Sequence, residues 1–306
     1  MIAPLLPFLL ACTTTLSPAI DKSAAPPPFV KPNPLSGVVL IILENGDPKE
    51  AAAMKFVKDK RVTQPVMLRR YFAVAHPSRP NYVALVSAST EGICGDKEPK
   101  PPLDRRHLGD LLEAAGQSWA VYAQSLPGKC NPVDNAGGLP RLPRYSRRHL
   151  GFFDFADVQK TLCATHIVPE DESLDALNRD IHDGRVPAFA MIIPDNFHNG
   201  HNTGIGAADH WLTEKFAPLL DDPRFTRDRV FILTFDENEK HGTEENKVFI
   251  MIWGDPVQPT SDRAVLDIPY DHYDLLRTIE ELLGTGNLGA HDSDQSHARP
   301  IGGIWK

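Results

Sequence analysis

No apolar stretch in this 306-residue chain is long enough to span a bilayer; the one candidate, at residues 1–12, is too short. Positive charge is not in excess either. The 32 Lys and Arg stand against 40 Asp and Glu, and the net charge of −8 argues against a broad nucleic-acid surface, although phosphate can still bind locally through a metal and a few cations. Cysteine is scarce, with four residues whose spacing matches no zinc-finger pattern, which argues against structural zinc. Asn-x-Ser/Thr sequons are absent, and with them an N-glycan shield. There is no internal repeat.

What is present is a globular composition, 42% hydrophobic and 24% charged, in a chain able to bury one large core. Residues 1–22 read as a secretory signal, a short apolar stretch followed by small residues but lacking Lys or Arg at its start. Leu9-Leu10-Ala11-Cys12 alternatively reads as a bacterial lipoprotein cleavage site. Either places the protein outside the cell or at its surface. Residues 23–34 form a proline-rich linker, extended and not expected to pack. Residues 35–306 are left as a single domain. If Cys12 is removed, the three remaining cysteines permit one disulfide and one free thiol.

Strand and helix signals alternate through that domain. The unbroken runs 38–43 and 230–235 predict central strands buried on both faces, the second over 229–235. Further strands are expected at 71–75, 118–123, 188–193 and 248–253, and helices at 49–60, 80–88, 105–115 with Asp104 as N-cap, 206–220 and 271–283. The pattern predicts an α/β fold with a doubly wound, mostly parallel central sheet and helices on both faces. Residues 124–153 are long, aperiodic and rich in Pro, Gly and Arg, the character of a functional loop.

Chemistry-bearing residues cluster just beyond these strands, where ligands bind in open α/β sheets. Glu44-Asn45 follows the first strand and Asp236-Glu237 the strand at 229–235. Such paired oxygens are hard metal ligands, while Asn45-Gly46-Asp47 is also a turn tripeptide. Ser78 and Asn81 stand at a helix start, where a metal-bound hydroxyl is a nucleophile and the helix terminus favours an anion; a plain helix cap is the alternative for Ser78. His149, beside Arg147 and Arg148, and the loop with His198 and His201 offer phosphate contacts or a general acid. At least one of the two arginines is expected to be solvated. His272 opens the last helix as a cap or a site residue.

At these residues the chain resembles the phosphoesterase family of secreted acid phosphatases and bacterial phospholipases C. The resemblance runs from about Val38 to Ala298 through Ile-Ile-Leu-Glu44-Asn45, His76-Pro-Ser-Arg-Pro-Asn81-Tyr, Leu111-Leu-Glu-Ala-Ala-Gly-Gln-Ser-Trp-Ala-Val-Tyr, Tyr145-Ser-Arg-Arg-His149, Phe235-Asp-Glu237 and His272-Tyr-Asp-Leu-Leu-Arg-Thr-Ile-Glu. Its closing blocks look most like the fungal secreted acid phosphatases. The resemblance implies an alkaline-phosphatase-like fold and one divalent ion (Mg, Ca, Mn or Zn) on Glu44, Asn45, Asp236, Glu237 and Ser78. It implies Ser78 as nucleophile, substrate contacts at Asn81, His149 and His201 with His272 near the site, and a disulfide between Cys130 and Cys163. Three positions depart from the family pattern. Asn199 stands for an Asp in Asp-Met-His, Leu150-Gly151 for the Asn-Pro of His-Asn-Pro, and Lys240 for an acidic contact.

The expected activity is metal-dependent hydrolysis of small phosphomonoesters through a phosphoserine on Ser78, with His201 or His149 protonating the leaving alcohol and an acidic optimum. A phospholipase C-type phosphodiesterase is the nearer alternative, disfavoured because the chain stops soon after its last block. A non-catalytic secreted protein binding metal or phosphate is the alternative of another class.

Overall fold

The computed structural model describes residues 17, 20–139, 142–238, 246–258 and 267–306. Most of the expected signal segment, Cys12 and Lys240 lie outside the described residues. The strands are β1 (Gly37–Leu43), β2 (Val66–Met67), β3 (Tyr71–Phe72), β4 (Trp119–Gln124), β5 (Asn135–Leu139), β6 (Leu142–Ser146), β7 (Ile167–Glu170), β8 (Phe189–Ile193), β9 (Arg229–Phe235), β10 (Ile250–Trp253) and β11 (Tyr270–Asp271). The α-helices are α1 (Pro48–Ala53), α2 (Ser78–Ser87), α3 (Leu108–Ala114), α4 (Cys163–His166), α5 (Asp175–His182), α6 (Ile205–Trp211), α7 (Pro223–Thr226) and α8 (His272–Leu283).

Seven strands form the central sheet in the order β2-β10-β9-β1-β8-β4-β7. β1, β4, β7, β8 and β9 run parallel, whereas β10 lies antiparallel to β9 and β2 antiparallel to β10. All seven residues of β1 and all seven of β9 are buried, as their unbroken apolar runs require for strands covered on both faces. The doubly wound, mostly parallel architecture expected from the sequence is the one observed. Among the described residues no helix is long and apolar enough to cross a membrane.

Several expectations are corrected. The apolar run at 71–75 yields only β3, which pairs with β11 in a separate two-stranded sheet rather than joining the main one. α3 begins at Leu108, because His107 caps it: its Nδ1 accepts from Gly109 N–H at 3.0 Å and its own N–H donates to Asp110 at 2.8 Å, so Asp104 is not the cap. The expected helix at 49–60 divides into α1 and a short turn at Phe56–Lys58. The loop at 124–153 contains the β5–β6 hairpin and two single-turn helices at Arg147–His149 and Gly151–Asp154.

Residues 23–34 form neither helix nor strand, yet part of this stretch packs. Gly303 N–H donates to the Pro28 carbonyl at 3.1 Å, and the Phe29 ring meets Trp305 edge-on at 6.0 Å. Just before it, Lys22 lies between Asp271 and Asp274 at 2.8 and 2.7 Å, and Arg299 donates to the carbonyls of Lys22 and Ala24. Proline stiffens this segment and lowers the entropy lost when it lies along a surface, so its composition does not prevent docking. Cys130 and Cys163 are joined, with Cα atoms 5.0 Å apart, and the described residues hold no free thiol.

Candidate active site

Sheet register assembles the site. In the parallel β1–β9 pair, Leu43 lies opposite Phe235, so the next residues, Glu44 and Asp236, leave the sheet side by side. Asp236 N–H donates to the Leu43 carbonyl at 3.1 Å, and Asn45 N–H donates to Asp236 Oδ1 at 3.2 Å. Asn45 takes a φ of 53°, a left-handed turn conformation that Asn tolerates well, so the turn expected there also serves the site. On its other flank β1 pairs with β8, whose following loop is held by Glu44 N–H donating to the Asn199 carbonyl at 2.8 Å.

Ser78 is the first residue of α2 and is buried. Its Oγ lies 3.1 Å from Glu44 Oε2 and 3.1 Å from Glu237 Oε1, a hydroxyl held between two carboxyl groups. His76 Nδ1 contacts the other oxygen of Glu237. Asn81 does not turn its amide toward this spot. Its Oδ1 accepts from Val74 and Ala75 N–H at 3.0 Å each, and its Nδ2 donates to the Ala75 and Pro77 carbonyls at 2.8 and 3.3 Å. All its capacity goes to shaping the loop that presents Ser78. His272 likewise stands one layer back: Nε2 donates to the Asp236 carbonyl at 2.7 Å and Nδ1 accepts from Tyr71 Oη at 2.8 Å. Burial pushes its imidazole down to about 4, so the ring is a neutral brace.

His149 stacks on Tyr82 and places Nε2 3.2 Å from Glu44 Oε1. His201 bonds its Nδ1 to Asn202 Oδ1 at 2.8 Å, and its Nε2 lies 3.0 Å from Arg148 Nη2. Arg148 Nε also lies 3.1 Å from His149 Nε2. Neither arginine is simply solvated. Arg147 is buried on Glu98 at 2.7 Å and the Phe153 carbonyl at 3.1 Å, while Arg148 faces both histidines. Burial lowers both imidazoles, and the Arg148 charge lowers them further. His198, in contrast, stacks on Trp211 and bonds to Asp195, outside the site.

Two departures from the family pattern acquire a physical reading. Asn199 accepts from His201 N–H at 2.9 Å and points its Nδ2 at His149 Nδ1 at 3.4 Å, a donor that an Asp would lack. Gly151 lies so close to α2 that a Cβ would meet the Tyr82 carbonyl oxygen at 2.4 Å. A proline there would force the histidine loop away from α2.

The carboxyl groups show what the centre accommodates. Burial and then the Asp236 charge push Glu44 well above the usual carboxylate range; burial and then the Glu237 charge do the same to Asp236. Glu44 Oε1, Asn45 Oδ1 and Asp236 Oδ2 are buried without a hydrogen-bond partner. Unpaired buried oxygens and crowded like charges are the signature of a site suited to a hard cation, and Glu44, Asn45, Asp236, Glu237 and Ser78 offer an all-oxygen set for one. Imidazole could join it, since ligand atoms of Glu44, His149 and His201 lie within 4.8 Å of one another. A second grouping, His107 with Asp110 and Asp157, is of another kind. His107 Nδ1 accepts from Gly109, which leaves the ring proton on Nε2, facing Asp157.

Sequence reasoning did not single out Arg148 as a contact of both histidines, or His76 as a partner of Glu237. Their signal was their position inside motifs already flagged for other residues.

Comparison with known proteins agrees with the sequence resemblance. The model of a family described as the phosphoesterase family matches residues 56–285. A probable acid phosphatase of Kluyveromyces lactis is 32% identical over 83% of this chain and 60% of its own length. A phosphatidylinositol-3-phosphatase of Mycobacterium tuberculosis is 26% identical over 78% of this chain and 72% of its own. Across the fungal acid phosphatases it matches first, the chain spans only about three fifths of their length. A solved structure from Vibrio parahaemolyticus, described as a protein in the alkaline phosphatase superfamily, superposes with a TM-score of 0.56 at 15% identity, covering 88% of this chain and 70% of that one. The fold is therefore that of the alkaline phosphatase superfamily.

Proposed function

This chain belongs to the phosphoesterase family, and from that premise we propose that it is a metal-dependent phosphomonoesterase whose nucleophile is Ser78. The observation that carries the reading is the Ser78 hydroxyl between Glu44 and Glu237 at the first turn of α2. Family relatives named acid phosphatase and phosphatidylinositol-3-phosphatase support hydrolysis of a phosphate monoester.

Glu44, Asn45, Asp236, Glu237 and Ser78 are the residues that would hold the ion. When bound, a divalent cation lowers the pKa of a coordinated hydroxyl and offsets charge on the transferring oxygens. The chain's own residues do the rest. His272 fixes the Asp236 backbone, and Asn81 fixes the loop that aims Ser78. The N-terminus of α2 favours the incoming anion, and Ser78 Oγ passes its proton to one of the carboxylates it donates to, Glu44 or Glu237, as it attacks phosphorus in line. The P–O bond to the alcohol breaks, leaving a phosphoserine that water then hydrolyses. His201 or His149 supplies the proton to the departing alkoxide. Both are lowered from the ordinary imidazole value, so the protonated form is populated only in acid and the rate falls as pH rises. Arg148 contributes the fixed positive charge beside them.

The Cys130–Cys163 disulfide supports an oxidising compartment outside the cytosol. The test is turnover of an aryl phosphate and of a bis-aryl phosphate after chelation and after add-back of Mg, Ca, Mn and Zn in turn. Ser78→Ala should lose at least ~10³-fold in kcat on the monoester. Near-wild-type turnover by that variant with metal present excludes the mechanism, and faster turnover of the diester favours the phosphodiesterase.

A further inference from the structure

We propose that the cleft beside Arg148 is a leaving-group subsite for phosphate esters whose alcohol carries a second anionic group. The inference deepens the phosphomonoesterase reading and rests on it. The cleft has a volume of about 480 Å³, the size of a small-molecule site rather than of a single phosphate.

Its position relative to the nucleophile follows from contacts. Arg79, directly after Ser78, lines the cleft, and so does Arg148. From Arg148 the path to the nucleophile is Arg148 Nε to His149 Nε2 at 3.1 Å, His149 Nε2 to Glu44 Oε1 at 3.2 Å, and Glu44 Oε2 to Ser78 Oγ at 3.1 Å. A phosphoryl group at Ser78 therefore has this opening beside it on the histidine side. The proton donors for the alcohol, His149 and His201, both touch Arg148. The group they protonate departs along that side.

Charge then indicates what the leaving group carries. Four cations line the cleft (Arg79, Lys97, Lys100 and Arg148) against three acids (Asp96, Glu98 and Asp134). Arg79 is committed to buried Asp154, and Glu98 to Arg147 and Lys100. Asp96 accepts from Arg79 N–H at 3.2 Å, and its other oxygen lies 3.8 Å from Arg148, too long for a tight pair. Lys100 shares Glu98 with Arg147, whereas Lys97 and Arg148 retain charge that no acid among the described residues neutralises closely. This happens in a chain whose net charge is −8, so the inversion is local to the mouth of the site. A neutral alcohol would make no use of it. A second phosphate on the same small molecule, as a monoester or within a lipid headgroup, would span from Ser78 to the lysine rim.

Calorimetric binding to the Ser78→Ala protein in magnesium tests this without turnover. The probes are three- to six-carbon diol bisphosphates against the matching ω-hydroxyalkyl monophosphates, with an arm in which the second phosphate is a methyl diester, as in a lipid headgroup. At least one bisphosphate should bind about tenfold tighter than its monophosphate, the combined effect of two exposed ion pairs. Lys97→Gln with Lys100→Gln should cut that preference to about twofold, and high salt should do the same in the Ser78→Ala protein. The methyl diester arm keeps the preference if a headgroup fits and loses it if a dianion is required. Absence of any bisphosphate preference, or a preference indifferent to both the lysine changes and salt, overturns the proposal. Aryl phosphate turnover by the unsubstituted protein judges the parent reading separately.

Discussion

Two buried carboxyl clusters in this chain are handled in opposite ways. Glu44, Asp236 and Glu237 crowd at the ends of β1 and β9, three of the surrounding oxygens lack partners, and no Lys or Arg is within ion-pair distance of Glu44 or Asp236 among the described residues. Asp271 and Asp274 cap α8, and there the chain supplies its own cation: Lys22 reaches both, and Arg299 N–H adds a bond to Asp274 at 2.6 Å. Burial raises the carboxyl pKa of Glu44 and Asp236 in the first cluster and of Asp274 in the second, but only the second is closed. Where the chain builds structure it completes the electrostatics from within. Where chemistry is expected it leaves oxygens open for something from solution.

Removing the internal cation should break the closed cluster. Lys22→Met leaves two buried carboxyl groups without their cation and should cost about 3–5 kcal/mol of stability, read as a lower midpoint in urea. Lys22→Arg should recover much of it. At the open cluster, removing a charge should act in the opposite sense. Asp236→Asn relieves repulsion and should raise metal-free stability by about 1 kcal/mol or more, while abolishing the rise in Tm expected of the unsubstituted protein on adding a divalent ion. A metal response that survives in this variant would remove Asp236 from the ligand set.

The closed cluster should also answer to pH. Burial, and then the Asp271 charge, push Asp274 up to about 8 even against Lys22, so desolvation outweighs the ion pair. A carboxyl with a raised folded-state pKa holds its proton to higher pH folded than unfolded. Its stabilising contribution is therefore greatest in acid, and it is lost as pH rises from about 4 through 8, at no more than about 1.4 kcal/mol per unit. Asp274→Asn should flatten that part of the stability profile. An unchanged slope would show that Lys22 keeps Asp274 ionised after all.

The open cluster was more legible than the closed one, for physical reasons. Strands buried on both faces have an unmistakable apolar signature, so β1 and β9 and the acids after them could be read directly. β7 was missed because Pro169 interrupts its pattern, and such a strand is found at the edge of a sheet, as here. The run at 71–75 looks like a central strand because periodicity does not report which sheet a strand joins. Ser78 was visible at its helix start, but Asn81, expected to touch substrate, and His272, expected near the site, have their polar atoms bonded to the backbone and Tyr71. Which way a side chain faces depends on tertiary packing, not on motif membership. Arg148 and Lys22 were illegible for a related reason, since one charged residue in a polar segment resembles any other until its partners are in place.

The docking of residues 22–29 against 299–305 also constrains the order of assembly. The bond from Arg299 to the Lys22 carbonyl closes a separation of 277 residues. Lys22 leaves the ribosome well before its partners on α8 and beyond, so this seam can form only after residue 299 has emerged. Until then Asp271 and Asp274 have no resident cation. The start of α8, and with it the His272 brace behind Asp236, would be among the last parts of the site to become fixed.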